Sequence, residues 1–77
     1  MIYYIAVTSN KMKIILNKNI QTIPDSSSIE ELLCHLNIEV KYIAIEVNEM
    51  IVPKSEYNIF NLKENDVVEI INAVGGG

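Results

Sequence analysis

The sequence predicts an α+β domain in which one main helix packs across a mixed sheet of four to five strands. Three observations carry that expectation. A capped segment with an apolar stripe of helical period lies near the middle of the chain. Short β-branched or alternating segments flank it on both sides, and 77 residues leave room for one compact domain only.

The first strand is expected at Lys13-Ile14-Ile15-Leu16-Asn17, and Asn17-Lys18-Asn19 supplies residues that tolerate the positive φ of a tight hairpin. A second strand follows from Ile20 to Ile23 and stops at Pro24, which has no amide hydrogen to give a ladder. Asp25-Ser26-Ser27-Ser28 is a cluster of helix-capping residues, and both Ser27 with Glu30 and Ser28 with Glu31 have the spacing of a capping box. Ile29, Leu32, Leu33 and Leu36 then fall at i, i+3, i+4 and i+7, a single apolar stripe, and Asn37 accepts the left-handed conformation of a helix end.

Beyond the helix, Ile43, Ile45 and Val47 alternate with Ala44, Glu46 and Asn48, the pattern of a strand with one face in the core. Asn48-Glu49 allows a hairpin into the short strand Met50-Ile51-Val52, which Pro53 ends. Residues 54–61 read as an irregular or single-turn connection, with Tyr57, Ile59 and Phe60 available to cover one end of the core. Glu64-Asn65-Asp66 is a polar turn into the β-branched run 67–74, the last strand, and Gly75-Gly76-Gly77 follows at once. Met12 stands directly ahead of the regular pattern and is a candidate translation start. The expected division is therefore an N-terminal extension over 1–11, either an added edge strand or a loose arm, a domain over 12–74, and a flexible glycine tail over 75–77.

Bulk composition excludes several functions. A formal net charge of −4 repels a phosphate backbone, so nucleic acid is not an expected partner and a basic protein surface is. Cys34 is the one cysteine; it has no disulfide mate and no Cys or His at ligand spacing, so neither a structural disulfide nor a metal site is expected. The apolar start at residues 2–7 has no basic region before it and is far below spanning length, so no export signal and no membrane span are expected. A reducing interior fits, the cytoplasm, or the plastid stroma for a plastid-encoded chain. An enclosed active site would remove core that a domain this small needs, which favours a carrier or binding role over an enzyme.

All three glycines of the chain are its last three residues. One reading is an idle tail, since chain ends are often loose and glycine-rich. The other is a reactive end. A carboxylate is a poor acyl group because its leaving group would be oxide, so transfer requires activation, normally as a mixed anhydride with AMP. An enzyme reaching that carboxylate must admit the chain through a narrow channel, and glycines thread it because they carry no Cβ. The ATP site and nucleophile would then belong to other proteins, in keeping with a sequence that has no phosphate-binding glycine loop.

The order of elements is that of the ubiquitin-like β-grasp, whose first and last strands lie parallel in mid-sheet. Met12-Lys13-Ile14-Ile15-Leu16-Asn17, Ser28-Ile29-Glu30-Glu31-Leu32-Leu33, Ala44-Ile45-Glu46-Val47-Asn48 with Ile51-Val52-Pro53, and Asp66-Val67-Val68-Glu69-Ile70-Ile71 leading to Val74-Gly75-Gly76-Gly77 together resemble the sulfur carrier family of thiamin thiazole biosynthesis, the ThiS family. Residues 1–11 lie outside that pattern. The resemblance implies that a ubiquitin-activating-type, ThiF-like enzyme uses ATP to adenylate Gly77. It implies next that a persulfide, from a cysteine desulfurase or another donor, converts it to a thiocarboxylate, and that a ThiG-like thiazole synthase receives the sulfur. The carrier itself would bind no cofactor and catalyse nothing. Its diglycine maps onto Gly76 and Gly77, with Gly75 a further joint, so that Gly75, Gly76 and Gly77 thread the partner's active site.

Three alternatives stay open on sequence grounds: the small subunit of molybdopterin synthase, a ubiquitin-like modifier ending in an isopeptide bond, and an interaction module with an idle tail. Pleat alternation adds a docking surface. With Ile14, Leu16, Val68 and Ile70 facing the helix, Ile15, Val67 and Ile71 face away, and with Val74 they form an aliphatic patch beside the tail. The competing expectation is that the N-terminal extension covers this patch. Cys34 and His35 are adjacent on the helix and so point roughly 100° apart, which forbids a local thiolate–imidazole pair and puts both near the solvated face.

Overall fold

The computed structural model describes residues 10–72, so the expectations for the rest of the N-terminal segment and for residues 73–77 lie outside the described residues. Six main elements follow one another: β1 (Lys11–Leu16), β2 (Asn19–Pro24), α1 (Ile29–Leu36), β3 (Ile43–Val47), β4 (Met50–Val52) and β5 (Val67–Asn72). Short 3₁₀ turns occupy Val40–Tyr42 and Lys54–Glu56. The strands form one five-stranded sheet in the order β2-β1-β5-β3-β4. β1 and β5 are parallel, with Ile15 opposite Val67 and Leu16 opposite Val68, and the other neighbours are antiparallel. This is the α+β arrangement expected from the order of elements, with the first and last strands side by side.

Both hairpins close through two residues with positive φ, Asn17 (47°) and Lys18 (72°) in the first, Asn48 (52°) and Glu49 (73°) in the second. Such loops match the right-handed twist of the strands they join. At the start of α1 the two possible capping boxes resolve to Ser28 with Glu31. The Glu31 amide donates to Ser28 Oγ at 3.0 Å, and the Ser28 amide donates to Glu31 Oε1 at 2.9 Å. Asn37 ends the helix in the left-handed conformation, φ 60°.

The inward strand residues meet the helix stripe as the alternation requires. Ile14, Ile29, Ile45 and Val68 are fully buried, Met12, Ile23, Leu32, Leu33, Val47 and Val52 nearly so, and Leu16, Leu36 and Ile70 pack against them. The connection from β4 to β5 departs from expectation in two places. Tyr57 is buried and Phe60 half-buried, but Ile59 is 70% exposed and covers nothing. Leu62 takes the core position instead, because Ser27 O accepts from its amide at 2.8 Å and a bridge pairs Ser28 with Asn61, which docks that segment on the helix start. Burial pushes the Tyr57 phenol above its usual range, and a hydrogen bond with the Ile45 backbone opposes that rise in part.

Candidate functional site

β5 is the element that carries the chain toward its glycines, and it is the central strand of the sheet. Ile71 and Asn72 are its last residues, paired with Ala44 and Ile43 of β3. Val74, Gly75, Gly76 and Gly77, four of the residues singled out from the sequence, lie outside the described residues. The other three, Ile15, Val67 and Ile71, are brought together on the face of the sheet that points away from α1. Val67 and Ile71 are 40% and 41% exposed, and Ile15 is half-buried between β2 and β5.

The register enlarges this face. Ile15 stands opposite Ile20 on β2, and Glu46 stands opposite Ile51 on β4, so Ile20 and Ile51 extend the aliphatic surface on either flank. Both are well exposed. Sequence reasoning missed these two, although a signal was present: a two-residue loop at 17–18 forces 15 to pair with 20, and one at 48–49 forces 46 to pair with 51. Glu46 also lies directly opposite Glu69 on β5. The pair puts two carboxylates side by side in the middle of the aliphatic face.

Two asparagines hold β5 from its two sides. On the β3 side the Asn48 amide donates to Val67 O at 2.7 Å, while the Val67 amide donates to the side-chain Oδ1 of Asn48 at 2.9 Å. Asn48 Nδ2 donates to Asp66 Oδ1 at 3.0 Å, which also anchors the turn before the strand. On the β1 side the Ile70 amide donates to Asn17 Oδ1 at 2.8 Å. Sequence reasoning placed both residues in hairpins for their backbone freedom alone; the side-chain role depends on a strand more than fifteen positions away and leaves no local signal.

Cys34 and His35 are exposed, as their place on the helix implies. Together with Ile23, Ser27, Glu31 and Leu32 they line an open concavity of about 620 Å³ between α1 and the end of β2. Among the described residues no group of three His, Cys, Asp or Glu side chains is placed to hold a metal ion, and no helix is long and apolar enough to cross a membrane.

Comparison with known proteins bears on this arrangement. Residues 7–77 match the family model described as the ThiS family. The chain is 35% identical over 60 residues to the sulfur carrier protein ThiS of Bacillus subtilis, a match that covers 78% of this chain and 91% of that protein. It is also 35% identical over 66 residues to a thiazole synthase of Paramagnetospirillum magneticum, covering 86% of this chain but only 20% of the length of the synthase. The crystal structure of the thiamine biosynthesis protein ThiS from Geobacter metallireducens superposes with a TM-score of 0.77 at 26% identity, over 86% of this chain and all of that one.

Proposed function

This chain belongs to the ThiS family, and from that membership we propose that the backbone carboxylate of Gly77 is the group that carries its sulfur. The chain is a β-grasp sulfur carrier of thiamin thiazole biosynthesis. The observation that supports Gly77 as the loaded residue is the family match running through residue 77, five residues in sequence beyond the end of β5. A carboxylate oxygen of Gly77 attacks the α-phosphorus of ATP held by a ThiF-like adenylating enzyme and releases pyrophosphate. A persulfide from a cysteine desulfurase or another donor then displaces AMP, and a thiol cleaves the resulting acyl disulfide to leave the thiocarboxylate. The glycines at 75–77 contribute by having no side chain to obstruct the partner's channel. Nothing in this scheme asks the carrier to bind ATP, a metal or a cofactor.

Thiazole synthase is the acceptor we assign. A stretch similar to this chain occurs within a protein named thiazole synthase, which supports a carrier and a synthase working as one unit. A direct test loads the chain with labelled sulfur and offers it to a ThiG-like synthase with its other substrates, and in parallel to a molybdopterin precursor with its synthase subunit. Label in the thiazole is the expected result. Label only in the molybdopterin product would overturn the assignment.

The outward face of the sheet supplies the docking surface, with Ile15, Val67 and Ile71 against apolar groups of the adenylating enzyme. The Glu46–Glu69 pair at its middle suits a basic partner, in keeping with the net charge of −4. An aspartate at position 71 would place an unpaired charge in that contact. Ile71→Asp is therefore expected to raise the KM for the carrier about tenfold or more, with thermal unfolding close to wild type because the position is already 41% exposed. Steady-state adenylation kinetics with the carrier as the varied substrate measure this, and an unchanged KM would remove the patch from the docking surface. The setting we assign is a reducing interior, cytoplasm or plastid stroma, where the exposed thiol of Cys34 stays reduced.

A further inference from the structure

On the outward face the register sorts side chains into rows that run across the strands. Ile20 of β2, Ile15 of β1 and Val67 of β5 stand in one row, since Ile15 is opposite both of the others. β1 and β5 are parallel, so Lys13, two residues before Ile15, and Glu69, two residues after Val67, lie on opposite sides of that row, each about 7 Å from it. Lys13 is exposed, and Glu69 is half-buried beside Glu46. An apolar row with a cation on one side and a carboxylate on the other is complementary to itself.

A second copy turned by half a turn, about an axis lying along the row between two facing sheets, shows how. The row meets its own copy, with Ile20, Ile15 and Val67 against the same three residues. The rotation also reverses the strand direction, which brings Lys13 of each copy over the side of the row where the other carries Glu69. The two are offset sideways by one strand spacing, about 4.8 Å, across an intersheet gap of about 10 Å that two long side chains span. Lys11, four residues before Ile15, comes over the side of Ile71, where its aliphatic stem covers apolar surface.

We propose that the outward face takes a second copy of this chain, in a two-fold dimer with its axis along Ile20, Ile15 and Val67 and a Lys13–Glu69 pair on each side. The dimer is weak. Its footprint, from β2 to β3 and from Lys11 to Ile71, is on the order of 400 Å², about half of the roughly 800 Å² that each partner buries in a standard stable interface. Each copy also carries a formal net charge of −4, which opposes association until salt screens it. Weakness suits a face that must be given up again: the adenylating enzyme is assigned the same residues, so the dimer holds carrier in reserve and the monomer is loaded. That consequence rests on the docking reading given above, whereas the dimer itself does not.

Sedimentation equilibrium of the full chain tests the dimer with no enzyme present. The average mass should rise from monomer toward dimer over about 10 μM to 1 mM. Lys13→Glu and Glu69→Lys should each raise the dissociation constant about tenfold, because two symmetric pairs turn repulsive at once, and the double variant Lys13→Glu/Glu69→Lys should return it to within about twofold of wild type. Both positions face outward, so all three variants should unfold thermally close to wild type. Glu69→Lys is the sharper arm. It moves the formal net charge from −4 to −2, so bulk repulsion alone would tighten the dimer, and a loss of affinity isolates the pairing with Lys13. A chain that stays monomeric throughout, a dimer that Glu69→Lys leaves alone or tightens, or a double variant as weak as the single ones would each overturn the proposal. Adenylation kinetics of Ile71→Asp, run at carrier concentrations where the monomer prevails, test the enzyme's use of this face separately, so either reading can fail without the other.

Discussion

Removal of Gly76 and Gly77 is expected to abolish sulfur loading and to leave thermal unfolding of the domain unchanged. The two halves of that result have separate causes. Among the described residues the buried set runs from Met12 to Val68, and the last strand closes at Asn72. Truncation therefore removes none of these buried side chains. The chemistry, by contrast, has no substitute. A carboxylate left on Gly75 would sit two residues short of its place, up to roughly 7 Å along an extended chain, and misplacement of even about 1 Å can cost on the order of a hundredfold. Gly76→Val is the milder companion, since it keeps the length and adds a branched side chain inside the partner's channel. Its loading rate should fall by about a hundredfold or more, read as thiocarboxylate formed per minute at saturating adenylating enzyme. Loading at the wild-type rate in either variant would show that the glycine end is not the working group.

Ile45→Ala is expected to destabilise the domain by about 2–5 kcal/mol, the range for deleting a large buried aliphatic side chain and leaving a cavity. Ile45 is fully buried and lies at the centre of the fold, opposite Ile70 on β5 and Val52 on β4. A domain of this size has only roughly 4–12 kcal/mol to lose. The melting temperature should fall by about 10–30 °C, and a chain from the lower end of that stability range would be substantially unfolded at room temperature. Circular dichroism during heating measures it. Ile51→Ala, at a position 60% exposed on the outward face, is the control and should lie within about 0.5 kcal/mol of wild type. A small effect at Ile45 would mean that the sheet does not pack on the helix as described.

Much of this architecture was legible because local patterns and the tertiary fold agree. The alternation at 43–47 named its buried face correctly, the stripe Ile29, Leu32, Leu33 and Leu36 named the helix face, and Ser28 with Glu31 and Asn37 marked its two ends. What local pattern could not supply was anything fixed by register between distant strands. Ile20 and Ile51 look like ordinary strand residues until pairing puts them beside Ile15 and Glu46. Ile59 and Leu62 are similar in hydrophobicity, and only the bonding of the 61–62 segment to Ser27 and Ser28 decides which is buried. Asn17 and Asn48 read as turn residues from their neighbours, whereas their side chains act on Ile70 and Val67, far along the sequence. The outward patch at Ile15, Val67 and Ile71 was legible in the same way as the core, as the complement of a correct face assignment.

The most direct test of the account is the intact mass of the wild-type chain after incubation with the adenylating enzyme, ATP and a persulfide donor, followed by fragmentation to locate any change. Replacement of one oxygen by one sulfur, confined to the fragment that ends in Gly77, is the predicted result. Sulfur found on Cys34, an isopeptide link from Gly77 to a lysine, or an unaltered mass with an enzyme that loads another carrier would each contradict it.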